Sequence, residues 1–346
     1  MAGRSTDMMK QPMQNILLYA VLAAILLLLP LTAMTRGVIP IELGEVVRFL
    51  LNPSDPQIPP IHADVLEYMR APRFLLALLA GSTLAVVGAV MQALLRNPLA
   101  DPYFLGISSG AALGAVLMMS ANISMIAGLS AVPLGAFAGA GAATVLVLWL
   151  TRYYGRGKSF MILIAGMGIH AVCSAVVSLI ISLAPNSRTV SNISYWLLGS
   201  LEKASWEKDL YLAIVVLPIL LFFFLQTRVL NLMLLGDDTA RTLGYRLEER
   251  RQTFIFLCAA AAAMIVYNAG IIGFVGLAVP HIARLLVGGS YTRLLPVCAA
   301  LGAGFLAWAD VFSRIAVENG EVPIGIVVSL LGSPIFLHLL LKRKHG

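Results

Sequence analysis

From residue 15 to residue 341 the chain repeats one pattern, an apolar run of about twenty residues closed by a short polar break. A helix that crosses a bilayer needs about 20 mostly apolar residues, because about 30 Å of hydrocarbon is covered at 1.5 Å per residue. About ten segments fit this requirement: near 15–35, 73–95, 103–120, 128–150, 160–183, 208–228, 253–273, 279–288, 293–312 and 324–341. The eighth is too short to cross alone and reads as a half-helix or an extension of a neighbour. A transmembrane barrel is excluded, since its strands alternate polar and apolar residues and lack long apolar runs. Composition agrees. The chain is 59% hydrophobic and 12% charged, where soluble domains carry about a quarter charged residues. The expected fold class is all-α: a polytopic membrane protein with some broken and short helices, residues 1–346 forming one transmembrane domain.

The first segment follows Arg4 and Lys10, as a signal peptide would. Its apolar run is long and resembles the later spans, so it reads as an uncleaved first helix. The net charge of +7 is spread over loop ends and marks topology, not nucleic-acid binding. Most Lys and Arg fall on one side if the N-terminus is inside: in TRYYGRGK (151–158), around Arg241, Arg246, Arg250 and Arg251, and in the tail LKRKHG. Both termini are therefore expected in the cytoplasm. Arg70, Arg73 and Arg314 break this bias at the outer rim, where arginines ordinarily snorkel to lipid headgroups.

Three absences narrow the function. Gly157-Lys158-Ser159 looks like the tail of a phosphate-binding loop, but Arg152 stands where that motif needs glycine, and a membrane helix precedes it instead of a strand. The spans hold almost no carboxylates, which ion-coupled transporters and proton pumps need near the membrane centre; Asp310 is the candidate, toward a helix end. No metal or catalytic constellation is visible among His62, His170, His281, His338 and His345. His170 lies near a membrane midplane and is a functional candidate, or a hydrogen-bonding partner of a facing helix. Cys173, Cys258 and Cys298 lie in apolar runs and read as small core residues.

Gly106, Gly110 and Gly114, and again Gly135 and Gly139, recur every four residues, a spacing that lets helix backbones approach closely. Gly270, Gly273 and Gly276 lead into Pro280, which cannot continue a regular helical ladder. Broken helices at membrane depth are tolerated where protein or a cavity covers them. In RNPLADP (96–102), one helix stops and the chain reverses, with Asn97 or Asp101 available to cap the next helix. The longest inner loop, 228–251, brackets DDTARTL between Gly236 and Gly244. Asp237 or Asp238 can cap a short helix there, Gly244 can end it, and a second helix can start at Leu247. Such a pair, about residues 232–250, is either a plain solvated loop or a docking element.

Together, RAPR, GAVMQALLRNPLADPYFLGISSGAALG, YWLLGSL, LLGDDTARTLG, GFVGLAVPHIARLL, LPVCAALGAGFLAWAD and PIGIVVSLLGSPIFLHLLL resemble, in order and spacing, the FecCD-type permeases. These are membrane subunits of type II ABC importers for cobalamin, ferric siderophores and haem. The resemblance covers about residues 15–342. It implies a homodimer enclosing a central pathway, two ATP-binding subunits docked on Gly236, Asp237, Asp238, Arg241 and Gly244, and a periplasmic or lipid-anchored binding protein. It implies that Arg70, Arg73 and Arg314 meet acidic residues of that binding protein. Residues matching Asn97, Leu99, Ser159 and Phe160 form the cytoplasmic gate in such permeases; position 160 here is bulky Phe where relatives can carry a small polar residue. Tyr195–Leu201 looks like a short helix at the outer mouth.

The expected function is thus an ATP-driven importer subunit in the bacterial or archaeal inner membrane, moving a metal chelate, with ferric siderophore preferred over haem or cobalamin. It would bind no cofactor or metal itself, ATP being used by the partner subunits, and would not be an enzyme. The rivals are an ion-coupled secondary transporter, disfavoured by the missing membrane carboxylates, and a membrane-embedded enzyme, disfavoured by the missing catalytic cluster.

Overall fold

One helical run, Pro60–Leu95, organises the molecule. A computed structural model describes residues 28–342 except 38, 127, 155–158, 237–239, 241, 243, 245, 246, 318 and 319. Helix α1 is described over 28–35, and α2 spans Leu43–Leu51. The long run begins as α3 (Pro60–Asp64), passes through a π-turn at Val65–Arg70 and continues as α4 (Ala71–Leu95). Pro72 accounts for the π-turn: it has no N–H to donate, and its ring would crowd the carbonyl one turn back, so the ladder widens just before it. At 1.5 Å per residue the run is about 54 Å long, well over the about 30 Å of hydrocarbon. Sequence reading missed the Pro60–Arg70 part because IHADVLEYMR is polar; hydropathy detects the bilayer, not the helix.

The remaining helices are α5 (Ile107–Ser120), α6 (Ala131–Tyr154), α7 (Ser159–Ser182), α8 (Ser187–Leu197), α9 (Trp206–Leu225), α10 (Thr227–Leu235), α11 (Leu247–Ala269), α12 (Val275–Val287), α13 (Tyr291–Ile315) and α14 (Ile324–Lys342). A two-stranded antiparallel hairpin, Met125–Ile126 with Leu129–Ser130, joins α5 to α6. Among the described residues, six helices are long and apolar enough to cross a membrane, and three apolar helices are shorter: Ile107–Ser120, Val275–Val287 and Ile324–Pro334. The fold is therefore an all-α, polytopic membrane fold, as expected.

Helix α4 sits in the middle. In its most apolar window 72% of the residues are buried, against 28% for α7 and 33% for α6 and α9, which line the outside. It packs on α13 most extensively and also on α7, α9, α10, α11 and α12. Glycine makes these approaches close. A Cβ at Gly81 would fall on the carbonyl oxygen of Gly302 in α13, and one at Gly88 on that of Gly276 in α12. The same holds between α5 and α6, where Gly110 and Gly114 face Gly139 and Gly135, the four positions whose spacing marked them in the sequence. Exposed aromatics cluster at both ends of the bundle: Trp149, Tyr153 and Tyr154 at one, Tyr68, Tyr195, Trp206 and Tyr211 at the other. That distribution suits the two membrane–water interfaces.

The expected break comes after α11. Residues 270–273 leave the helix, Gly270 and Phe274 adopt positive φ of 71° and 65°, and α12 then runs for 13 residues, including Pro280. The opened backbone is covered by the segment after α8. Ser200 N–H donates to the Ala269 carbonyl (2.9 Å), and Gly325 N–H donates to that of Leu198 (3.0 Å). A carbonyl orphaned by the break is thus satisfied inside the protein, as membrane depth requires. The short helix expected at Tyr195–Leu201 is placed earlier, at Ser187–Leu197; Gly199, at φ 72°, lies beyond its end.

Candidate functional site

The two ends of α4 carry most of the residues singled out in the sequence. At the Arg70 end the side chains turn inward. Arg73 Nε donates to Asp310 Oδ1 (2.6 Å) and its terminal nitrogens bind Glu321 (2.7 and 2.8 Å). Arg314 binds the same Asp310 (3.0 Å), one helical turn away on α13, and donates to the Arg36 carbonyl (2.9 Å). Arg70 donates to the carbonyls of Met34 and Ile39. All three arginines are 6–7% exposed and Asp310 is 1% exposed. Within the lone chain, two carboxylates and the ends of the α1–α2 connection hold these basic side chains. Asp310, read as a carboxylate near a span end, is the centre of this cluster.

At the other end α4 stops at Leu95, and Arg96 takes the left-handed conformation at its C-cap (φ 48°). Asn97 Oδ1 accepts from the Leu99 N–H (2.9 Å) and Asp101 Oδ1 from the Tyr103 N–H (2.9 Å). The two residues expected to cap the next helix thus shape the turn and the 3-10 segment Pro102–Leu105, while Gly106 stands at the start of α5. Asp101 is 8% exposed, and burial pushes its carboxyl up to about 6. Pro102 lies against Gly276, so the RNPLADP turn touches the start of α12.

Ser159 opens α7. Leu99 and Phe160 are 41% and 69% exposed. These apolar side chains form no packed ring within one chain, and a gate made of them needs a second surface. Of the expected coupling residues, Gly236 (φ 107°) ends α10 and Gly244 is at φ 83°. Asp237, Asp238 and Arg241 lie outside the described residues, as do Gly157 and Lys158. The helix expected from Leu247 is present and is continuous with the seventh span. His170 is exposed on α7.

Sequence reasoning missed two features. Asp209, in the first turn of α9, is fully buried, and neither carboxylate oxygen has a hydrogen-bond partner among the described residues. Gln92, Asn231, Arg284 and Tyr291 form a polar chain at the Arg96 end. No local motif announces either one.

A bundle around a buried glycine-lined helix, with a broken span whose open backbone is covered by protein, defines a multi-pass membrane transport protein. The FecCD transport family matches residues 22–342, and the chain belongs to that family. It is 39% identical over 278 residues to the hemin transport system permease protein HmuU of Yersinia pestis, covering 80% of this chain and 83% of that one. It is 38% identical over 275 residues to the vitamin B12 import system permease protein BtuC of Salmonella paratyphi A, covering 79% and 82%. A solved metal-chelate type ABC transporter in an inward-facing conformation superposes with a TM-score of 0.79 at 31% identity, over 93% of this chain and 99% of that one. The chain is thus a multi-pass inner-membrane permease subunit of a type II ABC importer, working with ATPase and substrate-binding partners. It is a translocation subunit, and ATP hydrolysis lies in the other subunits.

Proposed function

We propose that two copies of this chain enclose a passage through which a ferric siderophore moves inward, with both termini cytoplasmic and two ATP-binding subunits supplying the energy. The observation that carries this reading is the open face of α7. Gly168, Ala171, Ala175 and Ser178 recur on one side of it with His170 beside them, all exposed. No described atom lies within 4 Å of a Cβ built at Gly168. Small residues at this spacing admit a second helix closely, and an imidazole on a membrane span is costly against lipid. A second copy and a hydrated passage would cover this face. The exposed Leu99 and Phe160, with Asn97 and Ser159, would then meet their counterparts across the dimer axis as the cytoplasmic gate.

The segment around Gly236, Asp237, Asp238, Arg241 and Gly244 is the contact for the ATPase in this reading, and the chain itself holds no cofactor. The Arg70–Arg73–Arg314 cluster lies on the rim facing the binding protein, and would meet acidic groups there by releasing Asp310 and Glu321. Ferric siderophore is put forward because siderophores are the most varied cargo of such permeases; the haem and vitamin B12 relatives stand at nearly equal identity and do not separate the choices.

The test is uptake by proteoliposomes holding the permease, its ATPase and its binding protein, with a ferric hydroxamate siderophore, haem and cobalamin supplied in parallel. ATP-dependent uptake of the siderophore is expected. Uptake of haem or cobalamin alone overturns the cargo, and uptake by the lone permease that collapses with an ion gradient overturns the ATP-driven reading.

A further inference from the structure

The polar chain at the Arg96 end of α4 links four elements, α4, α10, α12 and α13, that the fold would otherwise leave joined by apolar contact. Its first member is Asn231 in α10. The Asn231 Oδ1 accepts from the backbone N–H of Tyr291 (2.9 Å), the first residue of α13, whose own N-cap Ser290 makes no side-chain cap bond. The Tyr291 hydroxyl donates to the Ala89 carbonyl in α4 (2.8 Å) and accepts from Arg284 in α12 (3.3 Å). Arg284 also donates to Gln92 Oε1, and Gln92 Nε2 donates to the Gly276 carbonyl (3.3 Å) at the start of α12. A second strand of the chain is shorter. Arg96 Nε donates to the Met233 carbonyl in the last turn of α10 (3.1 Å), directly beside the RNPLADP turn.

Both strands begin on α10; one ends at the Gly276 carbonyl and the other at Arg96, the first residue of the turn whose Pro102 lies against Gly276. Helix α10 is itself anchored, with Val229, Leu230 and Met233 buried, and it runs straight into residues 236–246. Three of the acceptors are backbone carbonyls, those of Ala89, Gly276 and Met233. The side chains therefore fix the position of helix backbone, which an apolar filler of equal volume would not fix. Gln92 and Tyr291 are buried, Asn231 and Arg284 half-buried and Arg96 exposed; a bonded polar network of this kind specifies geometry more than it adds stability.

We propose that Asn231, Tyr291, Arg284, Gln92 and Arg96 are positioning residues that transmit displacement of α10 to the RNPLADP turn and to the start of α12. This deepens, and rests on, the reading of residues 236–246 as the ATPase contact and of Asn97 and Leu99 as gate residues. An element carries coupling when both sites bias its arrangement. Here α10 adjoins the segment the ATPase would move, and the bonds from α10 reach the turn that would open.

The experiment uses the assembled permease–ATPase–binding protein complex in proteoliposomes and the three chelates named above. Two quantities are read, ATP hydrolysed and chelate imported. Tyr291→Phe keeps the ring and removes the hydroxyl; Asn231→Leu keeps the volume and removes the acceptor. Both are expected to retain ATPase assembly and basal hydrolysis and to lower chelate imported per ATP by about fivefold or more, the lower bound of typical coupling free energies. Asn231→Asp restores an acceptor and is expected to restore the ratio, which a loss of packing alone would not do. If Tyr291→Phe and Asn231→Leu import at the wild-type ratio, the relay is overturned while the transport reading stands. If hydrolysis and import fall together in both and Asn231→Asp rescues neither, the residues are structural and the relay is overturned as well. If the wild-type complex imports none of the chelates, the reading of the function falls and the relay falls with it.

Discussion

The two ends of α4 are held by different chemistry. At the Arg70 end, Arg73 and Arg314 share Asp310, and Arg73 also binds Glu321, so the helix is tied to α13 by buried opposite charges. At the Arg96 end the bonds described run to amide, phenol and backbone oxygens, those of Gln92, Tyr291, Met233 and Gly276. Removing one partner of a buried ion pair strands a charge and costs about 3–5 kcal/mol. A hydrogen bond from a charged guanidinium to an uncharged oxygen contributes about 1.5–3 kcal/mol net, and one between neutral groups about 0.5–1.5 kcal/mol. The Arg70 end is thus held by shared opposite charges, and the Arg96 end by bonds to uncharged oxygens that rearrange at smaller cost. The rearranging end lies beside Gly236, where α10 ends and the segment proposed above as the ATPase contact begins.

The largest effect that tests this contrast is at Asp310. Asp310→Ala leaves Arg73 and Arg314 buried without their shared carboxylate and should lower stability by about 3–5 kcal/mol. The denaturation midpoint of the purified chain in detergent measures it, and an unchanged midpoint would erase the distinction between the ends. Next in size, Gln92→Ala removes the acceptor for the Arg284 guanidinium, a bond worth about 1.5–3 kcal/mol, and the donor to Gly276, worth about 0.5–1.5 kcal/mol. A midpoint shift as large as that of Asp310→Ala would show that both ends are clamps.

A further test reads the slope of stability between about pH 4 and 6, not the size of a midpoint shift. The Asp101 carboxyl moves from an ordinary 3.8 to about 6 in the folded chain. Between those values the folded state keeps a proton that the unfolded state has released, so this group's contribution to stability falls as pH rises from about 4 through about 6. Asn carries no such proton and forms the same kind of cap. Asp101→Asn should therefore flatten that part of the stability–pH curve, leaving the variant relatively more stable at neutral pH. Parallel curves for variant and wild type across this range would rule out the shift.

Much of the framework was legible because it depends on local pattern. The spans follow from run length, and the close α5–α6 pairing follows from Gly110, Gly114, Gly135 and Gly139 at four-residue spacing. The break after α11 was announced by its glycines, although the chain turns at Gly270 and Phe274 and not at Pro280, which α12 accommodates. The hidden part depends on tertiary contact. Arg73 meets Asp310 across 237 positions, and Tyr291 meets Asn231 across 60. The charge bias singled out Arg70, Arg73 and Arg314 as exceptions to it, but local sequence could not show that Asp310, Glu321 and four backbone carbonyls already occupy them.

The brevity of α5 has an electrical consequence. Its 14 helical residues span about 21 Å, roughly a third less than the about 30 Å of surrounding hydrocarbon. The non-helical turn that feeds it, residues 96–106, packs through Gly106 against Ile169, ten residues into α7, and so reaches below the level where α7 begins. A membrane voltage does work of about 2.3 kcal/mol per elementary charge per 100 mV, and where a bilayer thins to match a short span the same drop is compressed into a steeper field.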